Sequence, residues 1–96
     1  MAGETIFLKN TMAITYIIFS KLKNQFYVGS SRTDSPDRLK AHNGGKVRST
    51  KSGCPWVEIA KELFDNYTEA RKRELFLKSG VGRQWINNQF GHLKQF

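Results

Sequence analysis

Two short extended runs joined by a polar turn constrain this chain more than any other feature. Ile14-Thr15-Tyr16-Ile17-Ile18-Phe19 is β-branched and aromatic, which suits a pleated strand. Ser20 to Gln25 is polar, with Lys23-Asn24 near its centre, and reads as a turn. Phe26-Tyr27-Val28-Gly29 returns as a second strand. The spacing predicts an antiparallel hairpin with Tyr16 and Tyr27 on neighbouring strands.

Residues 1–12 lack a pattern and are expected to form a loose leader. After the hairpin, Ser35-Pro36 is the expected start of a helix, with Ser35 as cap and Pro36 at the first helical position. That helix should run to about His42 and stop at Asn43-Gly44-Gly45. Residues 44–55 form a basic loop without period, and Trp56 to Phe64 is a third extended segment despite Glu58, Lys61 and Glu62. Asn66 or Thr68 is the expected cap of a helix to about Ser79, with Glu69 three residues after Asn66 as in a capping box. Gly80 is expected to end it, and a short last helix should cover Arg83 to Gln89. The expected fold is therefore α+β, a small three-stranded antiparallel sheet flanked by about three helices. Residues 13–90 form its one domain, and 91–96 its C-terminal tail.

A chain of 96 residues with 39% apolar content supports one modest core. No run approaches the ~20 apolar residues that span a bilayer, and no segment reads as a signal peptide. The lone Cys54 excludes an intramolecular disulfide, and no Cys/His cluster of zinc type is present. A reducing cytoplasm is the expected location. Sixteen Lys+Arg against eight Asp+Glu give a net charge of +8, which attracts polyanions, nucleic acid above all.

Several side chains carry chemistry at suggestive positions. On a helix from Tyr67, residues Tyr67, Ala70, Glu74 and Leu77 share one arc. Glu74 on an inward arc needs a cation, either Arg71 or Arg73 in a salt bridge, or a metal ion. One carboxylate suffices for Mg²⁺, which keeps most of its waters. Arg38 and His42, four apart, share a helix face. The Arg fork matches a phosphate and the His moves protons near neutrality, although a solvated face explains such a pair as well. Tyr16 and Tyr27 are equally compatible with core positions, and Gly29 permits a close approach to its strand. Lys40, Lys46, Arg48 and Lys51 extend Arg38 into a run without an acid. Arg71-Lys72-Arg73, with Lys78 and Arg83 beyond, form a second basic group, of which Arg71, Lys78 and Arg83 are the binding candidates. Together with Gly29 they are the expected backbone-binding track, to which the helix start at Gly82 would add amide donors.

In this order the residues resemble the GIY-YIG nuclease superfamily, in particular its small stand-alone bacterial members. Ile14-Thr15-Tyr16 corresponds to the first family triplet and Tyr27-Val28-Gly29 to the second, with ten residues between the tyrosines. Arg38 to Gly44 is similar to the next motif, with His42 where relatives carry His or Tyr. Thr50, Pro55 and Trp56 match lesser landmarks. Glu69 to Lys78 resembles the metal-binding helix and selects Glu74, and Ser79 to Trp85 resembles the family's tail. The likeness spans residues 14–88. Ile14 and Thr15 depart from the usual triplet, Gly29 to Arg38 is one residue longer than usual, and Asn87 or Asn88 would fill the position of a late catalytic Asn.

The resemblance implies an endonuclease that hydrolyses phosphodiester bonds, with DNA the expected polymer. It also implies a single Mg²⁺ or Mn²⁺ on Glu74, and a catalytic set of Tyr16, Tyr27, Arg38, His42 and Glu74. Arg38 and Tyr27 would hold the phosphate, and Tyr16 or His42 would be the general base. A lone domain of this size leaves no room for a sequence-reading module, so low intrinsic specificity or targeting by a partner protein is expected. Two rival readings remain: a weakly active or inactive nucleic-acid-binding module on the same fold, and a structural protein in which Glu74 is merely salt-bridged.

Overall fold

The computed structural model describes residues 12–95. The leader expected over residues 1–12 lies outside the described residues apart from Met12. Strand β1 covers Ala13–Ser20, β2 Gln25–Ser31 and β3 Trp56–Phe64. Helix α1 covers Asp37–Asn43, α2 Tyr67–Lys78 and α3 Gly80–Phe90. The sheet is antiparallel in the order β2-β1-β3. This is the α+β arrangement expected from the sequence.

The apolar run of β1 occupies the central strand, where all eight residues are buried. Its alternation serves two layers. Ile14, Tyr16 and Ile18 pack with Trp56, Tyr27 and Leu39 on the face covered by α1. Ile17 packs with Val28, Leu77 and Ile86 on the face covered by α2 and α3. Thr15 on that second face donates to the Ala70 carbonyl at 2.6 Å and ties α2 to the sheet. The charges of β3 are tolerated because β3 is an edge strand. Its pairing with β1 shifts between Ile17 and Ile18, where Ile17 faces Ala60 and Ile18 faces Glu58, the signature of a bulge at Ile59.

Several local signals act as expected. The Asn66 side chain accepts from the Glu69 amide at 3.0 Å, and Ala70, Glu74 and Leu77 are the buried residues of α2. The expected cap at Ser35 is corrected: the helix starts one residue later, with Pro36 at the cap and no side-chain cap bond, while the Ser35 hydroxyl accepts from the Asp37 amide at 3.2 Å. The expected stop at Gly80 is corrected: Gly80 opens α3. Ser79 is the junction between the helices, donating to the Phe76 carbonyl at 2.5 Å and accepting from the Gly82 amide at 3.2 Å. That amide is therefore already engaged at the helix start. A Cβ on Gly82 would collide with the Phe76 carbonyl and the Leu77 backbone, so glycine permits the tight turn between α2 and α3. The loop after α1 contains a 3₁₀ turn at Lys51–Gly53. Asn43 closes this loop with its side chain, accepting from the Trp56 amide at 2.5 Å and donating to the Trp56 carbonyl at 3.0 Å.

Candidate active site

Tyr16 is paired with Gly29 across the hairpin. A Cβ at Gly29 would fall within van der Waals contact of the Tyr16 hydroxyl and Cζ. It is thus the Tyr16 ring that makes the close approach Gly29 permits, and the ring crosses β2 toward its free edge. There its hydroxyl meets two residues of α1. Arg38 Nε donates to Tyr16 Oη at 3.2 Å, and His42 Nε2 lies 2.9 Å from the same oxygen. The i,i+4 pair thus shares one target, as its helix spacing suggested.

The donors and acceptors of this cluster give it a direction. Thr50 Oγ1 donates its only proton to the Val47 carbonyl at 3.2 Å. A Thr50 hydroxyl that donates there accepts from His42 Nδ1, which lies 2.7 Å away. Neutral His42 then carries its proton on Nδ1 and presents a bare Nε2, so the Tyr16 hydroxyl donates to it while accepting from Arg38. The resulting chain runs Arg38 to Tyr16 to His42 to Thr50 to the Val47 carbonyl. His42 and Thr50 are fully buried. The loop holding Thr50 is secured by Trp56 Nε1, which donates to the Thr50 carbonyl at 2.8 Å, and by Cys54 Sγ, 2.9 Å from the His42 carbonyl.

Burial raises the Tyr16 pKa above that of an ordinary phenol, and Arg38 only partly offsets this. Burial, reinforced by the Arg38 charge, lowers that of His42. Near neutral pH the resting pair is therefore a phenol beside a neutral imidazole. Tyr27 stands against both His42 and Trp56, edge to face, at 5.2 and 6.2 Å between ring centroids.

Glu74 reaches the same edge from the opposite face of the sheet. Its carboxylate accepts from the Ser30 hydroxyl on β2, from Arg71 at 2.7 Å and from Lys78 at 2.5 Å. Burial alone would push the Glu74 pKa up, but hydrogen bonds from Lys78, Ser30 and Arg71 outweigh it and hold the carboxyl below the usual range. Lys78 Nζ also lies 5.6 Å over the Tyr27 ring, linking the two faces around the strand edge. The Glu74 charge contributes to the raised Tyr16 pKa. Of the two arginines offered as partners to Glu74, Arg71 takes the role, while Arg73 pairs with Glu62 at 2.9 Å.

No group of three or more His, Cys, Asp or Glu is arranged to hold a metal among the described residues. A lone ionised carboxylate at a strand edge suits a hard dication that keeps its waters and shares a substrate oxygen. The Glu74 carboxylate fits such an ion once Lys78 and Arg71 yield part of it.

The remaining basic residues divide into two groups. Lys40 on α1, Lys46 and Arg48 in the loop, and Lys51 in the 3₁₀ turn are exposed, and none forms an ion pair among the described residues. Arg71 and Lys78 turn to Glu74, and Arg83 lines a cavity between β2 and α3. Sequence reasoning missed Ser30 and the tie between Lys78 and Glu74. The second was readable from their i,i+4 spacing, and the first from the alternation that places Ser30 on the face of Val28.

No helix among the described residues is long and apolar enough to cross a membrane. No solved structure matches the chain. A UPF0213 protein of Staphylococcus haemolyticus is 36% identical over 70 residues, spanning 71% of this chain and 84% of that relative. The family model described as the GIY-YIG catalytic domain matches residues 12–87. The chain belongs to the GIY-YIG family, whose catalytic domain implies nuclease-type activity on nucleic acid.

Proposed function

We propose that the protein is a divalent-metal-dependent endonuclease that hydrolyses phosphodiester bonds, with DNA as its polymer and low intrinsic sequence specificity. The observation that carries this reading is the Tyr16 hydroxyl, held between Arg38 and His42 at the strand edge where Glu74 stands.

One of the five Arg38 N–H donors is used on Tyr16, which leaves the outer fork of an exposed guanidinium for a phosphate. Tyr27 flanks that position. The attacking water gives its proton to Tyr16 Oη as Tyr16 passes its own to His42 Nε2. Coupling the transfers avoids a free phenolate, which the raised Tyr16 pKa disfavours. Tyr16 is therefore the group that meets the water, and His42 is the base that receives the proton. When bound at Glu74, Mg²⁺ or Mn²⁺ would supply charge stabilisation to the phosphate oxygens. With no separate reading module in the described residues, selection would fall to substrate shape or to a targeting partner protein.

One observation favours a second reading, a catalytically weak nucleic-acid-binding module: both Glu74 oxygens are already engaged by Ser30 and two cations. The two are separated by incubating supercoiled plasmid with the protein, with and without Mg²⁺ or Mn²⁺, beside Glu74→Ala and Arg38→Ala. Cutting that requires metal and disappears in both variants is expected. Cutting that persists without metal or in Glu74→Ala sinks the proposal, and binding without cutting leaves the module.

A further inference from the structure

Two cavities flank the strand-edge site, and their chemistry differs. One, of about 390 Å³, adjoins Tyr16 and Arg38 and carries Asp34 and Glu58, with Lys61 already paired to Asp34 at 3.0 Å. Its two acids are balanced by Arg38 and Lys61 on the same lining, so it carries no net positive charge to draw a polyanion. The other, of about 380 Å³, lies between the start of β2, the end of α2, and α3, and shares Tyr27 and Lys78 with the site. None of its lining residues is acidic.

We propose that this second cavity is a nucleotide subsite. It receives one unstacked nucleotide of the substrate strand, next to the phosphate held at the Tyr16–Glu74 edge. The assignment rests on the nuclease reading for the position of that phosphate, but the recognition chemistry stands on the cavity itself. Its walls are apolar, from Phe26, Val28 and Ile86, and its rim is cationic, from Lys78, Arg83 and Lys94. An apolar slot under a basic rim complements a flat base attached to phosphates. Arg83 and Lys94 form no ion pair among the described residues, so their charge is not neutralised by a neighbouring carboxylate. Lys94 Nζ stands 5.3 Å over the Phe26 ring, so one face of that ring is turned toward the rim. The Asn87 amide, also on the lining, offers both a donor and an acceptor to a base edge. The volume lies within the range of small-ligand pockets. The strand would leave the active site on this side because this lining carries cations and no acid, whereas the charges lining the other cavity balance.

The test uses the full chain in EDTA, where no metal-dependent cutting competes, and a short fluorescein-labelled oligothymidylate read by anisotropy. Gln25→Trp crowds the cavity mouth without altering charge, and Arg83→Gln and Lys94→Gln remove rim cations. Lys72→Gln removes an exposed charge elsewhere. Each cavity variant is expected to bind roughly tenfold more weakly, and Lys72→Gln to change by less than about threefold. An abasic strand of equal length should bind wild type roughly tenfold more weakly than thymidylate and should no longer distinguish Gln25→Trp from wild type. Circular dichroism melts confirm folding, and amide shifts at Phe26 and Ile86 of wild type titrated with thymidine 5′-monophosphate give a readout free of any variant. Equal binding of thymidylate and abasic strands, or unchanged binding by Gln25→Trp, overturns the subsite. Metal-dependent plasmid cutting alongside base-independent binding overturns the subsite alone. Base-dependent binding with no cutting under any metal supports the subsite and overturns the nuclease reading instead.

Discussion

The Tyr16 hydroxyl lies 2.9 Å from His42 Nε2, although 26 residues separate the two along the chain. The direction of that hydrogen bond is set by a third residue, Thr50, whose own proton goes to the Val47 carbonyl.

Thr50→Val should therefore strand the His42 Nδ1 proton and release the ring tautomer. Plasmid cutting is expected to fall by roughly tenfold to a hundredfold, with a stability loss of about 1–3 kcal/mol for the unsatisfied buried donor. Thr50→Ser, which keeps the hydroxyl, should recover most of both. Equal activity of Thr50→Val and wild type in single-turnover kinetics would refute the relay.

Gly29→Ala tests the crossing of Tyr16 over β2. The added Cβ meets the Tyr16 hydroxyl and Cζ, so the ring must leave its position between Arg38 and His42. Cutting should fall to the level of Tyr16→Phe or below, and stability should drop by about 1–3 kcal/mol. Combining Gly29→Ala with Tyr16→Ala should cost less stability than the two single losses together. Strict additivity in urea titrations would count against the contact.

Glu74→Gln separates function from folding. Arg71 and Lys78 keep 47% and 41% of their side chains exposed, so water can take over their charges. A stability change within about 1 kcal/mol is expected at neutral pH, together with loss of metal-dependent cutting. A larger collapse of stability, with cutting retained, would mark Glu74 as structural.

The depressed His42 pKa makes a signed prediction for stability. The folded protein holds the ring neutral while the unfolded chain protonates it below its ordinary pKa of about 6.5. Its contribution is complete above that pH and is lost as pH falls toward the lower folded value. Urea midpoints should decline as the pH falls below about 6.5 in wild type and decline less in His42→Gln. A steeper decline in the variant would contradict the assignment.

Two glycines of α3 predict opposite outcomes. Gly82→Ala drives a Cβ into the Phe76 carbonyl and Leu77 backbone, and should cost about 2–3 kcal/mol in thermal unfolding. Gly80→Ala meets nothing within 4 Å and should be neutral, or stabilise by up to about 1 kcal/mol. Similar melting temperatures for both variants would refute the close approach of α2 and α3.

What was legible in the sequence was local. The β-branched run and polar turn specify the hairpin, the Asn66–Glu69 spacing specifies the start of α2, and helical periodicity turns Ala70, Glu74 and Leu77 inward. These depend on propensity, caps and side-chain period, which act over a few residues. The Gly80 stop was misplaced because glycine suits a helix end and a tight helix start alike, and only the packing of α3 against α2 decides between them.

The site itself was decided at longer range. That Tyr16, Tyr27, Arg38, His42 and Glu74 belong together was suggested by their order and spacing. That the first four stand on one face of the sheet, and Glu74 on the other, follows from strand order and register. Because β2 is an edge strand, side chains from both faces can meet around it. Lys78 and Ser30 join Glu74 there, and Thr50 orients His42, because long-range contacts answer to sheet register and packing, not to neighbours in the chain. The hairpin carrying the two tyrosines was therefore determined by sequence, and what its tyrosines face was settled only by the tertiary fold.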